Sequence, residues 1–156
     1  VGETRITDSH IEQYIGLSKE YNTFELNDAV LKQDVGRAMR IAEHFAHNQK
    51  TYPITLTITI LFGLFQQLFL LNYHMWQSRK RGIPMPADAE LMRAIRANNP
   101  FAVKELKANI GRWNGPRLFK ILGYLREYDA KSKGVDSGGL DGGELLKELL
   151  LKIFMS

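Results

Sequence analysis

Apolar residues recur every three or four positions through most of this 156-residue chain. That spacing puts them on one face of an α-helix, whereas a half-buried strand alternates at every second residue. Asparagine, aspartate or proline, which favour helix starts, precede several of these segments. The clearest such starts are Asn22 with Glu25 three residues later, Asp34, Asn99-Pro100 and Asn114-Gly115-Pro116. The pattern predicts helices around the apolar stripes Leu26–Val30, Val35–Phe45, Leu91–Ile95, Val103–Ile110, Leu118–Tyr128 and Leu145–Ile153.

The most apolar segment, Ile54 to Trp76, carries conflicting signals. Its first seven residues alternate with period two and are rich in β-branched side chains, which is typical of a strand. No second segment offers a strand partner, Pro53 suits a helix start, and helical spacing continues from Leu61 to Tyr73. We therefore predict one central helix of about 24 residues.

The same segment approaches the length of a membrane span. Gln66, Gln67, Asn72 and His74 interrupt it, and no other span accompanies it. A core helix that other helices contact on most sides is the favoured interpretation.

Glycine and proline predict the loops. Arg79 to Pro86 combines three basic residues with a glycine and two prolines, and Gly134 to Gly143 contains five glycines in ten residues. Before the first capped segment, Thr7 or Asp8 can start a further short helix that ends at Gly16. The predicted fold is all-α, with about seven or eight helices and no strand pair.

Composition agrees with a helical core. Leucine, isoleucine, valine and phenylalanine make up 45 of the 156 residues, and leucine outnumbers valine four to one. The chain has no cysteine, which excludes disulfides, thiol nucleophiles and thiolate metal sites. We expect an intracellular, metal-free protein of one domain, or of one domain and the edge of another, since the N-terminus lacks the order of a secretory signal.

Positive charge is concentrated in the middle of the chain. Residues 77–133 carry 13 basic and 5 acidic groups, a net of +8, against +4 for the whole chain. Basic residues beside aromatic ones suit single-stranded nucleic acid, although a solvated helical surface is the favoured interpretation. The nucleic-acid candidates are Arg79, Lys80, Arg81, Arg112, Trp113 and Arg117.

Motifs for catalysis are absent from the sequence. It contains no Gly-x-x-x-x-Gly-Lys-Ser/Thr or Gly-x-Gly-x-x-Gly run to hold phosphates. His44 and His47 are three residues apart, but no third ligand follows in a metal-binding motif. We therefore expect a protein that is not an enzyme and that binds no cofactor or metal.

Four segments of the sequence stand out as words. They are Ile15–Ala29 (IGLSKEYNTFELNDA), Lys32–Ile41 with its Lys-Gln-Asp and Ala-Met-Arg-Ile motifs, Asn99–Glu105 (NPFAVKE), and Tyr128–Gly134 followed by Glu144–Ile153. Taken in this order, and with the predicted helix count, they resemble the delta subunit of the bacterial DNA polymerase III clamp loader, and the resemblance covers most of the chain.

The resemblance implies a clamp-loader collar. Residues 1–16 would be the last helix of an AAA+-like lid domain, and residues 17–156 would be the helical collar domain that joins the other subunits. The family's clamp-opening module would lie outside this chain, which begins as though cut from a larger protein. The implied protein is a cytoplasmic, replisome-associated component that helps to load the sliding clamp onto DNA. The segment Gln77 to Asn98 departs from the family by being longer and more basic.

Residues at two places in the chain are the expected contacts with neighbouring subunits. For contacts with neighbouring subunits we expect Tyr73, Trp76 and Arg79 at the end of the long helix, together with Leu146 and Leu150 of the last helix. Any contact with DNA would be indirect or weak. The alternative function is a basic helical module that binds nucleic acid directly through its +8 region.

Overall fold

A computed structural model of the protein describes residues 21–156, and all regular secondary structure in this part of the chain is helical, with no strand. The all-α prediction is therefore confirmed. The predicted helix that ends at Gly16, and with it the domain boundary, lies outside the described residues. The helices are α1 (Thr23–Leu31), α2 (Val35–Ala46), α3 (Ile54–Arg81), α4 (Asp88–Ala94), α5 (Pro100–Asn109), α6 (Gly115–Ser132) and α7 (Gly142–Met155), with a 3₁₀ turn at Ile110–Arg112.

Side-chain caps fix where five of these helices begin. The side-chain oxygens of Asn22, Asp34, Asn99 and Asn114 each accept a hydrogen bond from the backbone N–H three residues later, at 2.8–3.2 Å. Asp141 caps α7 in the same way at 2.9 Å. These bonds satisfy backbone donors that the first helical turn leaves unpaired.

The segment from Ile54 to Trp76, whose local signals conflict, forms a helix, as predicted. α3 runs without interruption through the alternating stretch, where Thr57 and Thr59 donate their hydroxyl hydrogens to carbonyls four residues earlier at 3.4 and 2.9 Å. Back-bonding of this kind satisfies threonine hydroxyls within a helix. α3 is long and apolar enough to cross a membrane, but seven of its residues are buried among the other helices: Thr57, Ile58, Leu61, Leu64, Phe65, Leu68 and Leu71.

The predicted start of the loop at Arg79 was wrong by three residues, because the loop begins at Gly82. Arg79, Lys80 and Arg81 form the last turn of α3, and the helix ends at Gly82, whose φ of 68° is left-handed. Basic side chains are favourable at a helix C-terminus because the unpaired carbonyls there carry partial negative charge. The glycine accepts the left-handed backbone at little cost, so the helix stops there and not at the basic residues.

α3 is the centre of the bundle. It packs along α6 and also contacts α1, α5, α7 and the 3₁₀ turn, while α2 packs on both α1 and α7. Tyr128 of α6 is buried and donates its hydroxyl hydrogen to Glu148 of α7, and burial raises the pKa of this phenol above its usual value. The basic Gln77–Asn98 segment folds back and contributes the buried Leu91 and Ile95 to the core.

Candidate interaction surface

Four aromatic side chains of α3 face outward. Phe62, Phe69, Tyr73 and Trp76 are each between 38 and 46% exposed, and we call this set the aromatic stripe. Their spacings of seven, four and three residues place them within about 60° of the helix circumference, given 3.6 residues per turn. The same seven-residue spacing marks the face of a helix that packs against a second helix. The stripe is therefore an apolar face without a partner among the described residues.

A groove lies beside the stripe, between α3 and α6. It has a volume of about 660 Å³, and Phe62 and Phe69 form one wall of it. The α6 side is lined by Phe119, which is 73% exposed, and by Leu122 and Gly123. The charged residues Arg126 and Asp129 also line it, further along α6. We call it the α3–α6 groove. It is mostly apolar, with one cation and one carboxylate at its α6 side.

Tyr73 and Trp76 form the end of the stripe nearest the helix C-terminus. Their rings are almost parallel, at an angle of 18° and a centroid distance of 6.3 Å, and Gln77 donates a 2.9 Å hydrogen bond to the Tyr73 hydroxyl. This bond and the neighbouring ring hold Tyr73 in a defined orientation. The two predicted contact residues are thus both on the surface, with their rings side by side.

The basic end of α3 continues from the stripe. Lys80 lies four residues beyond Trp76, and Arg79 and Arg81 flank it. All three side chains are exposed, and none forms an ion pair with any residue in the range 21–156. α3 itself contains no aspartate or glutamate. The end of the stripe therefore presents uncompensated positive charge.

Trp113, a nucleic-acid candidate, is turned into the core. It is fully buried, meets Phe65 edge-on at 5.1 Å, and donates its indole N–H to the carbonyl of Leu31 at 3.1 Å. Its ring therefore has no face to offer a nucleic-acid base. The sequence signal was misleading because the basic neighbours of Trp113 belong to the same structural cluster.

Arg117 is the centre of that cluster. Its guanidinium stacks 4.2 Å from the Trp113 ring and donates hydrogen bonds to the Ser156 hydroxyl, the Gln33 amide oxygen and two backbone carbonyls, at 2.7–3.3 Å. Burial lowers the pKa of Arg117 from its usual value. Arg112 supplies one of those carbonyls, and its side chain donates a 3.3 Å hydrogen bond to the Asn109 amide oxygen. Among the candidates near Trp113, Arg112 is the one that is exposed.

The two predicted contacts of the last helix are also internal. Leu146 and Leu150 are buried against the rest of the bundle, because α7 turns its leucines toward α2 and α6. The apolar side chains that α7 exposes are Leu151 and Met155. The sequence of a leucine-rich helix does not show directly which of its leucines are exposed to solvent.

The two spaced histidines have separate roles. His47 lies 2.9 Å from the Glu43 carboxylate, while the His44 ring packs with Tyr21 and Tyr52 at centroid distances of 5.1 and 5.8 Å. Hydrogen bonds from Lys147 and His47 lower the pKa of Glu43. No group of three or more potential metal ligands occurs in the part of the chain that the structure describes.

Comparisons with protein-family models, with curated proteins and with solved structures found no significant match.

Sequence reasoning missed the N-terminal half of this surface. Phe62, Phe69 and Phe119 were not among the expected contact residues, yet all three line the α3–α6 groove. The available signal was that α3 carries more apolar residues than one buried stripe holds, so that some of them must lie on another face of the helix.

Proposed function

We propose that this chain is a non-catalytic helical domain that joins neighbouring subunits of a clamp loader, as the collar domain of a DNA polymerase III delta subunit does. The observation that carries the proposal is the aromatic stripe, an exposed apolar face on the central helix. Soluble proteins rarely leave such a face uncovered unless it binds something. The family resemblance of the sequence segments supports the choice of assembly.

The chemistry of the surface suits a protein partner. Aromatic and arginine side chains contribute most of the binding energy at protein interfaces, and those that lie centrally and exclude water contribute most. Tyr73, Trp76 and Arg79 are of these types and lie at one helix end. In the proposed role, the protein acts in the cytoplasm at the replisome and contacts DNA only indirectly.

Alanine replacement of Tyr73, Trp76 and Arg79 tests the proposal. We expect the triple variant to bind the other clamp-loader subunits at least about tenfold more weakly, since each central aromatic side chain typically contributes more than ~1 kcal/mol. The measurement is co-purification of the full chain with those subunits, followed by titration of the assembled complex.

The matched control replaces two aromatics and one arginine elsewhere on the surface. Phe24, Phe101 and Arg93 are exposed on α1, α5 and α4, and their alanine variant should assemble as the unchanged protein does. Circular dichroism establishes that both variants remain helical. Normal assembly of the Tyr73, Trp76 and Arg79 variant would refute the proposed role of the stripe.

The alternative, direct binding of nucleic acid, loses two of its candidates. Trp113 is buried and Arg117 is held within the protein, which leaves Arg79, Lys80 and Arg81 beside the Tyr73 and Trp76 rings, with Arg112 at a separate position on the chain. Three adjacent cations can contact about three phosphates, which is a small phosphate-binding surface. Each such contact adds about one unit to the slope of the logarithm of the binding constant against the logarithm of the salt concentration. The subunit-joining function therefore has the stronger support.

A further inference from the structure

The α3–α6 groove and the aromatic stripe have the geometry of a site for one helix. Stripe positions repeat at the spacings of a helix-packing face, and the adjoining groove is walled by phenylalanines from two helices. Gly123 leaves open space on the α6 side, since a β-carbon there would meet no other atom within 4 Å. A partner backbone can therefore approach closely at this point.

The charges indicate what kind of helix it is. Arg79, Lys80 and Arg81 end the stripe without counter-charges among residues 21–156. A helix that covers the stripe and continues past Trp76 lies over Lys80, with Arg79 and Arg81 about 100° to either side of Lys80 at the rim of the contact. Carboxylates at that end of the partner would be attracted, and cations would be repelled.

A second copy of this chain does not supply those carboxylates from the same face. α3 contains no aspartate or glutamate over its 28 residues, so two copies packed through α3 bring only basic and neutral groups together. On α6 the groove offers one carboxylate, Asp129, beside the cation Arg126. Charge complementarity thus favours a different protein over self-association.

We propose that the stripe and groove receive an amphipathic helix of a partner protein, with leucine-like residues against Phe62, Phe69 and Trp76 and with carboxylates facing Arg79, Lys80 and Arg81. This inference rests on the proposed function and adds the chemistry of the partner segment. The apolar contacts supply affinity, and the acidic end fixes the direction in which the partner helix lies.

The test uses two synthetic helical peptides of about 21 residues, or three heptads, with leucine at the a and d positions. One carries glutamate at the flanking positions and the other carries lysine. Each is titrated into the full chain by calorimetry, at concentrations where the peptide alone is monomeric. The emission of Trp76 reports where binding occurs, because Trp113 is buried and contributes a constant background.

We expect the acidic peptide to bind at least about tenfold more tightly than the basic one, since three rim charge pairs contribute up to ~1 kcal/mol each. Replacing Arg79, Lys80 and Arg81 with glutamine should remove the preference, and replacing them with glutamate should reverse it. Phe69→Ser should weaken the binding of both peptides, whereas Phe101→Ser, at an exposed position of α5, should weaken the binding of neither.

Several outcomes would overturn the proposal. Equal affinity for the two peptides, a preference for the basic one, or unchanged binding by Phe69→Ser would each do so. A dimer of the chain that Phe69→Ser dissociates would identify a second copy as the occupant. Tighter binding of single-stranded oligothymidine than of the acidic peptide, lost in Trp76→Ala, would identify nucleic acid.

The experiments distinguish an error in the acidic-helix proposal from an error in the proposed subunit-joining function. If the stripe variants impair subunit assembly but the two peptides bind equally, the collar role stands and the acidic partner is wrong. If assembly is unchanged while the acidic peptide is preferred, the surface binds an acidic helix of a protein outside the clamp loader.

Discussion

At the scale of single residues, Arg117 joins segments that are far apart in the sequence. It bonds to Gln33 in the turn between α1 and α2, and to Ser156 after α7, while its guanidinium covers Trp113. All its acceptors are neutral, so its contribution comes from hydrogen-bond geometry and stacking. A planar guanidinium can donate several bonds in fixed directions, which an ammonium cannot.

Arg117→Lys should therefore lower the free energy of unfolding by about 1–3 kcal/mol, because several hydrogen bonds and the stacking contact are lost together. Urea denaturation followed by circular dichroism measures this change. Arg79→Lys is the matched control, since Arg79 is exposed without an ion pair to any described residue, and should alter stability by less than about 0.5 kcal/mol. Equal effects of the two changes would contradict the role given to Arg117.

At the scale of elements, α7 and α2 approach each other unusually closely. A β-carbon at Gly143 would lie 2.5 Å from the Ala46 β-carbon and 2.9 Å from its α-carbon. Two small residues thus set the distance between these helices at the point where α7 begins. Lys147 and Glu43 form an ion pair one turn further along.

Gly143→Ala should destabilise the protein by about 1–3 kcal/mol, because the backbones of α2 and α7 must separate to admit the methyl group. Gly63→Ala is the control within α3, where a β-carbon has open space, and it should stabilise the helix by up to about 1 kcal/mol. Thermal unfolding of the two variants measures both changes. Stabilisation of the protein by Gly143→Ala would show that the two helices are free to move apart.

At the scale of the whole molecule, long-range polar contacts join the first described helix to the middle of the chain. Asn27 of α1 donates to the carbonyl of Ile60 at 3.4 Å, and Lys32 lies 3.7 Å from Glu105 of α5. Trp113 adds its bond to Leu31, 82 residues away. None of these helices has a separate core, since the buried apolar residues form one cluster.

The described helices should consequently unfold in one cooperative step. In a Trp76→Phe variant, tryptophan emission reports only Trp113 at the centre of the bundle. Its denaturation curve should coincide with that of far-ultraviolet circular dichroism, which reports total helix. An earlier change in emission would indicate that the centre opens before the helices melt.

Local signals predicted the helices well, since their causes are local. A capping side chain and the backbone N–H that it binds are three residues apart. The capping roles of Asn22, Asp34, Asn99 and Asn114 could therefore be predicted directly from the sequence. The end of α3 was less certain because its basic residues suit either a loop or a helix C-terminus. Gly82 decided between the two.

The surface could be predicted only in part. Tyr73 and Trp76, which were expected as subunit contacts, are exposed, whereas the orientation of Trp113 depends on a carbonyl 82 residues away. Leu146 and Leu150 are buried because α2 and α6 cover them, which no local pattern of leucines reveals. The groove exists only once α3 and α6 are packed together.

The length of α3 has a consequence for whatever binds along it. From Phe62 to Lys80 the axis rises by about 27 Å, at 1.5 Å per residue. A partner helix of fewer than about 18 residues cannot cover the first phenylalanine and also reach the cations. The spacing of these two features on one rigid helix therefore sets a minimum length for the partner segment, and a shorter segment must give up either the aromatic contact or the charge.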